Sequence, residues 1–184
     1  MNILYPSKIA DCVTGYIILE QNAVYPLFSG HNTVCTATAV VELGLVDNRT
    51  DGAVSFKIEA PGGVVEIEAT IEKGRAVAIS MTSMPSFVVL QNQTMKRKEI
   101  LDLIPTKVDS IQYDICFGGM FYVIVDADKL GLEIKPGNGR LLAQLGEMIK
   151  KEAKTLTPVN HPHFNYPGPD ILGMINCVNT LVYN

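Results

Sequence analysis

Ser29-Gly30-His31-Asn32-Thr33-Val34-Cys35-Thr36-Ala37-Thr38-Ala39-Val40-Val41-Glu42-Leu43-Gly44 is the stretch that decides how this chain folds. From Asn32 to Leu43 the residues are small and mostly apolar all round. That pattern predicts a helix buried on most sides. Its threonines can bond back to their own helix, and Gly44 can close it as the residue after the C-cap. Leu27-Phe28-Ser29-Gly30-His31-Asn32-Thr33 leads into the helix. A helix start carries unpaired N–H groups and the positive end of the dipole. The amides of Gly30, His31 and Asn32 could therefore hold a carboxylate or phosphate. Gly30 would allow close approach to the backbone, and Ser29 would stand at the mouth. The same residues also read as a plain turn and N-cap, with Ser29, Asn32 or Thr33 capping. His31 alone reads as a structural histidine as readily as a catalyst.

Around this helix the chain reads as strands. Val54, Phe56 and Ile58 alternate with Ser55, Lys57 and Glu59. After Pro61-Gly62-Gly63, Val65, Ile67 and Ala69 alternate with Glu66, Glu68 and Thr70, which predicts a hairpin with one wet face. Lys73-Gly74-Arg75 turns the chain into a third strand from Ala76 to Ser80, ended near Met84-Pro85-Ser86-Phe87. Lys107 to Cys116 and Gly119 to Asp126 predict two more strands. A helix from about Gly139 to Lys154 carries Leu141, Leu142, Leu145, Met148 and Ile149 on one stripe, with Asn138 as its expected N-cap. Strands do not alternate with helices, so the expected class is α+β: a curved, mostly antiparallel sheet around a central buried helix.

Composition sets outer bounds. The chain has 184 residues, 47% hydrophobic and 18% charged. That is enough apolar material for a core and favours a single domain over residues 1–184. A net charge of −4 prepares no phosphate backbone, so nucleic acid is not an expected partner. Apolar runs such as Phe121 to Val125 are far too short to span a membrane. The start lacks a basic and then apolar leader, and a cytoplasmic location is expected. Cys12, Cys35, Cys116 and Cys177 form no CxxC and read as reduced cysteines, the first three as buried small hydrophobes. His161 and His163 flank Pro162 with no partner cluster, so no metal site is expected.

The chain also resembles the proline racemase family. Ser29-Gly30-His31-Asn32-Thr33, with the helix ending Glu42-Leu43-Gly44, is similar to the family's first active-site motif. Ala60-Pro61-Gly62-Gly63 resembles its TPAG turn. Met84-Pro85-Ser86-Phe87-Val88 resembles its V-P-S-F-V. Asp114-Ile115-Cys116-Phe117-Gly118-Gly119-Met120-Phe121-Tyr122-Val123-Ile124-Val125-Asp126-Ala127 resembles D-I-A-Y-G-G-N-F-Y-A-I-V-D-A. The four matches occur in family order.

The resemblance implies a diaminopimelate-epimerase-like fold of two α/β halves, each a curved sheet around a central helix, with this chain as the first half. It implies a proline or hydroxyproline substrate held by amides at both helix starts, chemistry at Cα, and neither PLP nor metal. In racemases of the family a cysteine at each helix start serves one face of Cα. Thiolates near helix N-termini suit that role, and the dipoles stabilise enediolate charge.

Ser29 replaces the family's first cysteine, and Asn32 replaces a glycine of the racemase form. Both changes resemble the trans-3-hydroxy-L-proline dehydratases. Proline racemase and 4-hydroxyproline 2-epimerase are the alternatives. Met120 departs from an asparagine common after the paired glycines. The second motif, D-R-S-P-C-G-T-G, and the early H-T-x-G-E-P motif are absent, and Cys177 lacks the following Gly-Thr-Gly. The expected function is trans-3-hydroxy-L-proline dehydratase-like chemistry in a chain that is roughly half a family protein, a fragment, a truncated form or a degenerate copy; a half that binds without turnover is the further alternative. The expected site is Ser29 as the catalytic position and Gly30, His31 and Asn32 as substrate-binding residues. A homodimer is one way its open face could be covered.

Overall fold

The computed structural model describes residues 1–20, 25–160 and 176–177. The chain divides into two compact units, Met1–Pro85 and Ser86–Asn184.

In the first unit, strands β1 (Asn2–Tyr5), β2 (Cys12–Ile18), β3 (Gly52–Ala60), β4 (Gly63–Glu72) and β5 (Arg75–Thr82) form one sheet in the order β1-β2-β3-β4-β5. All neighbours are antiparallel except β2 and β3. A parallel pair needs a crossover, and helix α1 (Gly30–Glu42) supplies it. The β3–β4 hairpin has the expected register, Phe56 opposite Ile67 and Ile58 opposite Val65. Lys73 and Gly74 both take positive φ, 50° and 78°, as a two-residue turn matched to the strand twist requires.

Helix α1 lies on this sheet through Thr33, Thr36, Ala37, Val40 and Val41, all buried. Those positions are spaced 3, 1, 3 and 1 and make a single stripe. Ala37 and Val40 join Tyr16, Ile18, Phe28 and Ile58 in one core cluster, and Val41 packs with Ala69 and Ile71. Burying a side chain such as Val40 contributes about 1.5–3 kcal/mol. The burial on most sides expected from composition is corrected in detail: His31, Val34, Cys35 and Glu42 are exposed on the opposite face. Small residues misled the reading because Thr38 satisfies its hydroxyl on the Val34 carbonyl, 2.9 Å away, and so needs no solvent. Cys35 is accordingly exposed rather than buried, and Cys12 and Cys116 are half-buried. Gly44, at φ 71°, ends the helix. Its N–H reaches Val41 O and that of Leu45 reaches Val40 O, both at 3.0 Å, which is the Schellman pattern.

The second unit contains β6 (Phe87–Met95), a single helical turn α2 (Lys98–Leu101), β7 (Ile111–Phe117), β8 (Phe121–Val125), α3 (Gly139–Leu156) and β9 (Asn176–Cys177). Its sheet order is β6-β7-β8-β9, with only β8 and β9 parallel. Strand β6 was not expected from alternation. Asn92 sits at φ 56° inside it, and the pairing with β7 slips there. A bulge of this kind breaks the period of two. Helix α3 buries Leu145, Ile149 and Ala153. Asn138 occupies its N-cap position, but the side chain donates to Glu133 O at 2.8 Å instead of capping. The 3-10 turn Pro136–Asn138, which leads into α3, accompanies this change of partner.

Candidate active site at the start of helix α1

Ser29 is the N-cap of α1, with extended backbone at φ −147° and ψ 119°. Its carbonyl accepts the first helical bond from Thr33 N at 2.9 Å. Its Oγ accepts from Asn32 Nδ2 at 2.9 Å and, at a longer 3.5 Å, from the Asn32 backbone N–H. Of the capping alternatives, Ser29 is the one adopted. Gly30 and His31 fill the first two helical positions, where the geometry offers their N–H groups no acceptor within the helix. Gly30 is half-buried, His31 exposed and Asn32 half-buried. Glycine at position 30 has a packing reason too: a Cβ there would lie 3.0 Å from Met81 Cε on β5.

Sequence reasoning missed the groups that hold this turn. Thr33 Oγ1 donates to Ser29 O at 2.8 Å, and Tyr16 OH lies 2.5 Å from Thr33 Oγ1. Thr33 has one hydroxyl proton and gives it to the carbonyl, so Tyr16 donates to Thr33. Burial pushes the Tyr16 phenol above its ordinary pKa and keeps it protonated for that task, outweighing the opposite pull of the Thr33 bond. Asn2 Nδ2 donates to Asn32 O and Thr36 Oγ1, each at 3.1 Å. The exposed Glu20 accepts from Asn32 Nδ2 at 3.4 Å. One signal could have pointed to Tyr16: it is the aromatic residue of strand β2 and carries a polar tip, and a buried tyrosine needs a partner.

The Pro61–Gly62 turn lies against the chain entering α1. Gly62 N–H donates to Leu27 O at 2.9 Å, and a Cβ on Gly62 would meet Met84 Sδ at 2.7 Å and Leu27 O at 3.1 Å. This tether explains why a glycine turn from a distant hairpin accompanies the Ser29 motif in the sequence.

The proline racemase family model matches residues 1–177. The chain belongs to the proline racemase family. Similar family proteins include one named 4-hydroxyproline 2-epimerase from Allorhizobium ampelinum, 32% identical over 88% of this chain and 44% of the relative. Two crystal structures superpose with a TM-score of 0.76 at 30% identity over 88% of this chain. One is a probable proline racemase from Agrobacterium radiobacter K84 with bound carbonate, and the other a hydroxyproline epimerase from Agrobacterium vitis with bound trans-4-hydroxy-L-proline. The chain spans less than half the length of each of these relatives, 44–45%. Its fold is of the same mixed α/β kind, as expected. Among the described residues, no group of three or more His, Cys, Asp or Glu side chains could hold a metal ion, and no helix is long and apolar enough to cross a membrane. His161 and His163 lie outside the described residues.

Proposed function

We propose that the chain supplies one face of a site for proline or hydroxyproline, with the amides of Gly30, His31 and Asn32 toward the substrate carboxylate and Ser29 as a hydrogen-bond donor beside it. The observation that carries this reading is the bonding of Ser29 Oγ. Both of its lone pairs receive N–H donors from Asn32. A hydroxyl oxygen so occupied is a poor base, while its proton stays available to a ligand oxygen. The base that removes the Cα proton then comes from the part of the family protein that this chain does not span.

One-base chemistry fits dehydration of trans-3-hydroxy-L-proline. The base takes the Cα proton, and the electron pair forms the Cα–Cβ double bond as the C3–O bond breaks. Ser29 gives its proton to the departing hydroxyl, which leaves as water, and Ser29 is reprotonated through solvent by the proton the base took from Cα. The enamine then tautomerises to Δ1-pyrroline-2-carboxylate. Helix N-termini stabilise the enediolate charge that builds on the carboxylate. A second reading, 2-epimerisation of 4-hydroxyproline, is favoured by the relative bearing that name. It would require Ser29 to exchange a proton with Cα.

Proton NMR in D2O with L-proline, trans-4-hydroxy-L-proline and trans-3-hydroxy-L-proline tests both. Consumption of the 3-hydroxy compound supports dehydration. Loss of the Cα–H signal with inversion of the 4-hydroxy compound supports epimerisation and overturns the dehydratase reading. Binding without exchange by folded protein identifies a half-site that does not turn over alone.

A further inference from the structure

The Asn32 side chain has more to do than its place in the helix requires. Its one nitrogen serves Ser29 Oγ at 2.9 Å and Glu20 Oε1 at 3.4 Å. A primary carboxamide nitrogen has two protons, and both are used. The Glu20 oxygen accepts one of those protons, which favours the orientation that also turns the nitrogen to Ser29. The backbone on the other side of Asn32 is also held, because its carbonyl accepts from Asn2 Nδ2 at 3.1 Å. Capping alone needs none of this. An N-cap serine requires only its own oxygen and a backbone N–H, and here the backbone bond is the longer one, 3.5 Å against 2.9 Å.

We propose that Asn32 is a positioning residue, oriented by Glu20, that fixes the Ser29 hydroxyl with its oxygen turned to the carboxamide and its proton toward the substrate. This deepens the function proposed above and rests on it for its catalytic consequence. Glu20 acts through its acceptor oxygen and not through its charge, which separates it from a carboxylate that binds the substrate ammonium. The carboxamide is one residue type serving two acceptors in line, and no change of the backbone amides is needed to remove it.

Two measurements test the proposal, and they fail independently of each other. The first needs no activity. Hydrogen exchange of the Asn32 side-chain NH2, followed by 15N NMR, should be slowed relative to exposed asparagines. Ser29→Ala and Glu20→Ala should each accelerate it by about 3-fold or more, whereas Glu20→Gln, which keeps an acceptor oxygen, should leave it near the wild-type rate. Unchanged exchange in both alanine variants overturns the positioning network whatever the protein catalyses. The second uses whichever reaction the D2O experiment reveals in the longest natural form carrying these residues. Asn32→Ala should lower kcat by up to about 100-fold, the scale of a group misplaced by about 1 Å, with little change in KM because the Gly30 and His31 amides remain. Glu20→Gln should restore most of what Glu20→Ala loses. Equal loss in Glu20→Gln and Glu20→Ala would show that charge matters and overturn the assignment of Glu20. Normal side-chain exchange effects with no reaction on any imino acid would leave the network standing and sink the functional reading instead.

Discussion

Replacing Tyr16 with phenylalanine should weaken the first unit well beyond the loss of one oxygen atom. Tyr16 is fully buried, and its hydroxyl lies 2.5 Å from Thr33 Oγ1, which in turn donates to the Ser29 carbonyl. The phenylalanine ring keeps the packing with Ile18, Val40 and Ile58. What changes is that Thr33 Oγ1, itself in a fully buried residue, loses the Tyr16 donor. A net hydrogen bond is worth about 1 kcal/mol, and an acceptor left dry costs about 1–3 kcal/mol. We expect a loss of about 1–2 kcal/mol. For a unit the size of Met1–Pro85, each 1 kcal/mol lowers Tm by roughly 4–8 °C. Thr33→Val should cost a similar amount, because it strands the Tyr16 hydroxyl, although the Ser29 carbonyl keeps the Thr33 backbone N–H at 2.9 Å. The double variant buries neither orphan. Urea unfolding of the four proteins, read by far-UV circular dichroism, should therefore show a double variant less destabilised than the sum of the singles by about 1 kcal/mol. Additivity within about 0.3 kcal/mol would refute the argument that these two hydroxyls satisfy each other.

Other outcomes follow from the same kind of reasoning. Gly15→Ala places a Cβ 2.3 Å from Tyr5 Cζ and 2.6 Å from Cε2, so it should destabilise by about 1–3 kcal/mol, and adding Tyr5→Ala should recover part of that. An unchanged Tm for Gly15→Ala would contradict the close seat of the Tyr5 ring. Cys35 is exposed, while burial raises the thiol pKa of Cys12 and Cys116. Iodoacetamide followed by peptide mapping should label Cys35 ahead of those two, and faster labelling of either would count against the exposed face of α1. Glu59 accepts from Ser7 Oγ at 2.5 Å and Lys8 N at 3.1 Å, and the Ser7 bond is the main cause holding its carboxyl below the ordinary value of 4.5. A depressed folded pKa adds stability above the unfolded value and loses it as pH falls through the folded one. Ser7→Ala should thus be less stable than wild type at pH 7, with the gap closing below about pH 4.5. A gap constant down to pH 2 would show that the bond does not depend on the carboxylate.

The parts of this fold that sequence reveals are those governed by local periodicity. The β3–β4–β5 meander could be read from alternation and from Pro61-Gly62 and Lys73-Gly74, because each turn fixes its own register. Helix α3 could be read from one apolar stripe. Helix α1 could be located but its faces could not be told apart, since Ala, Thr and Cys leave little hydrophobic contrast. Strand β6 escaped because the left-handed Asn92 interrupts its period. At the site, Ser29 to Asn32 could be found because helix starts follow rules of capping and charge. Glu20 and Asn2 could not, because their importance lies in contacts made only after β1 and β2 align beside β3, and Tyr16 left only the hint of a phenol among apolar neighbours. The family motifs added what periodicity lacks, and they place Pro61-Gly62 in the same story as Ser29 without saying why. The Gly62 to Leu27 hydrogen bond supplies the reason.

The parallel pairing of β2 with β3 has a consequence for the order of assembly. The meander from Gly52 to Thr82 closes through short turns, so it can form early and alone. Strand β2 reaches β3 only after the whole segment carrying α1 has crossed over, which makes that pairing the most entropically demanding step of the unit. Ser29 lies inside the crossing segment, and its supports come from both sides, Tyr16 from β2 and Gly62 from the meander. The Ser29 turn is therefore expected to be the last part of the unit to close during folding and the first to open in the native ensemble. A ligand bound there would act as the keystone, slowing exchange at β1 and β2 while leaving the meander unchanged.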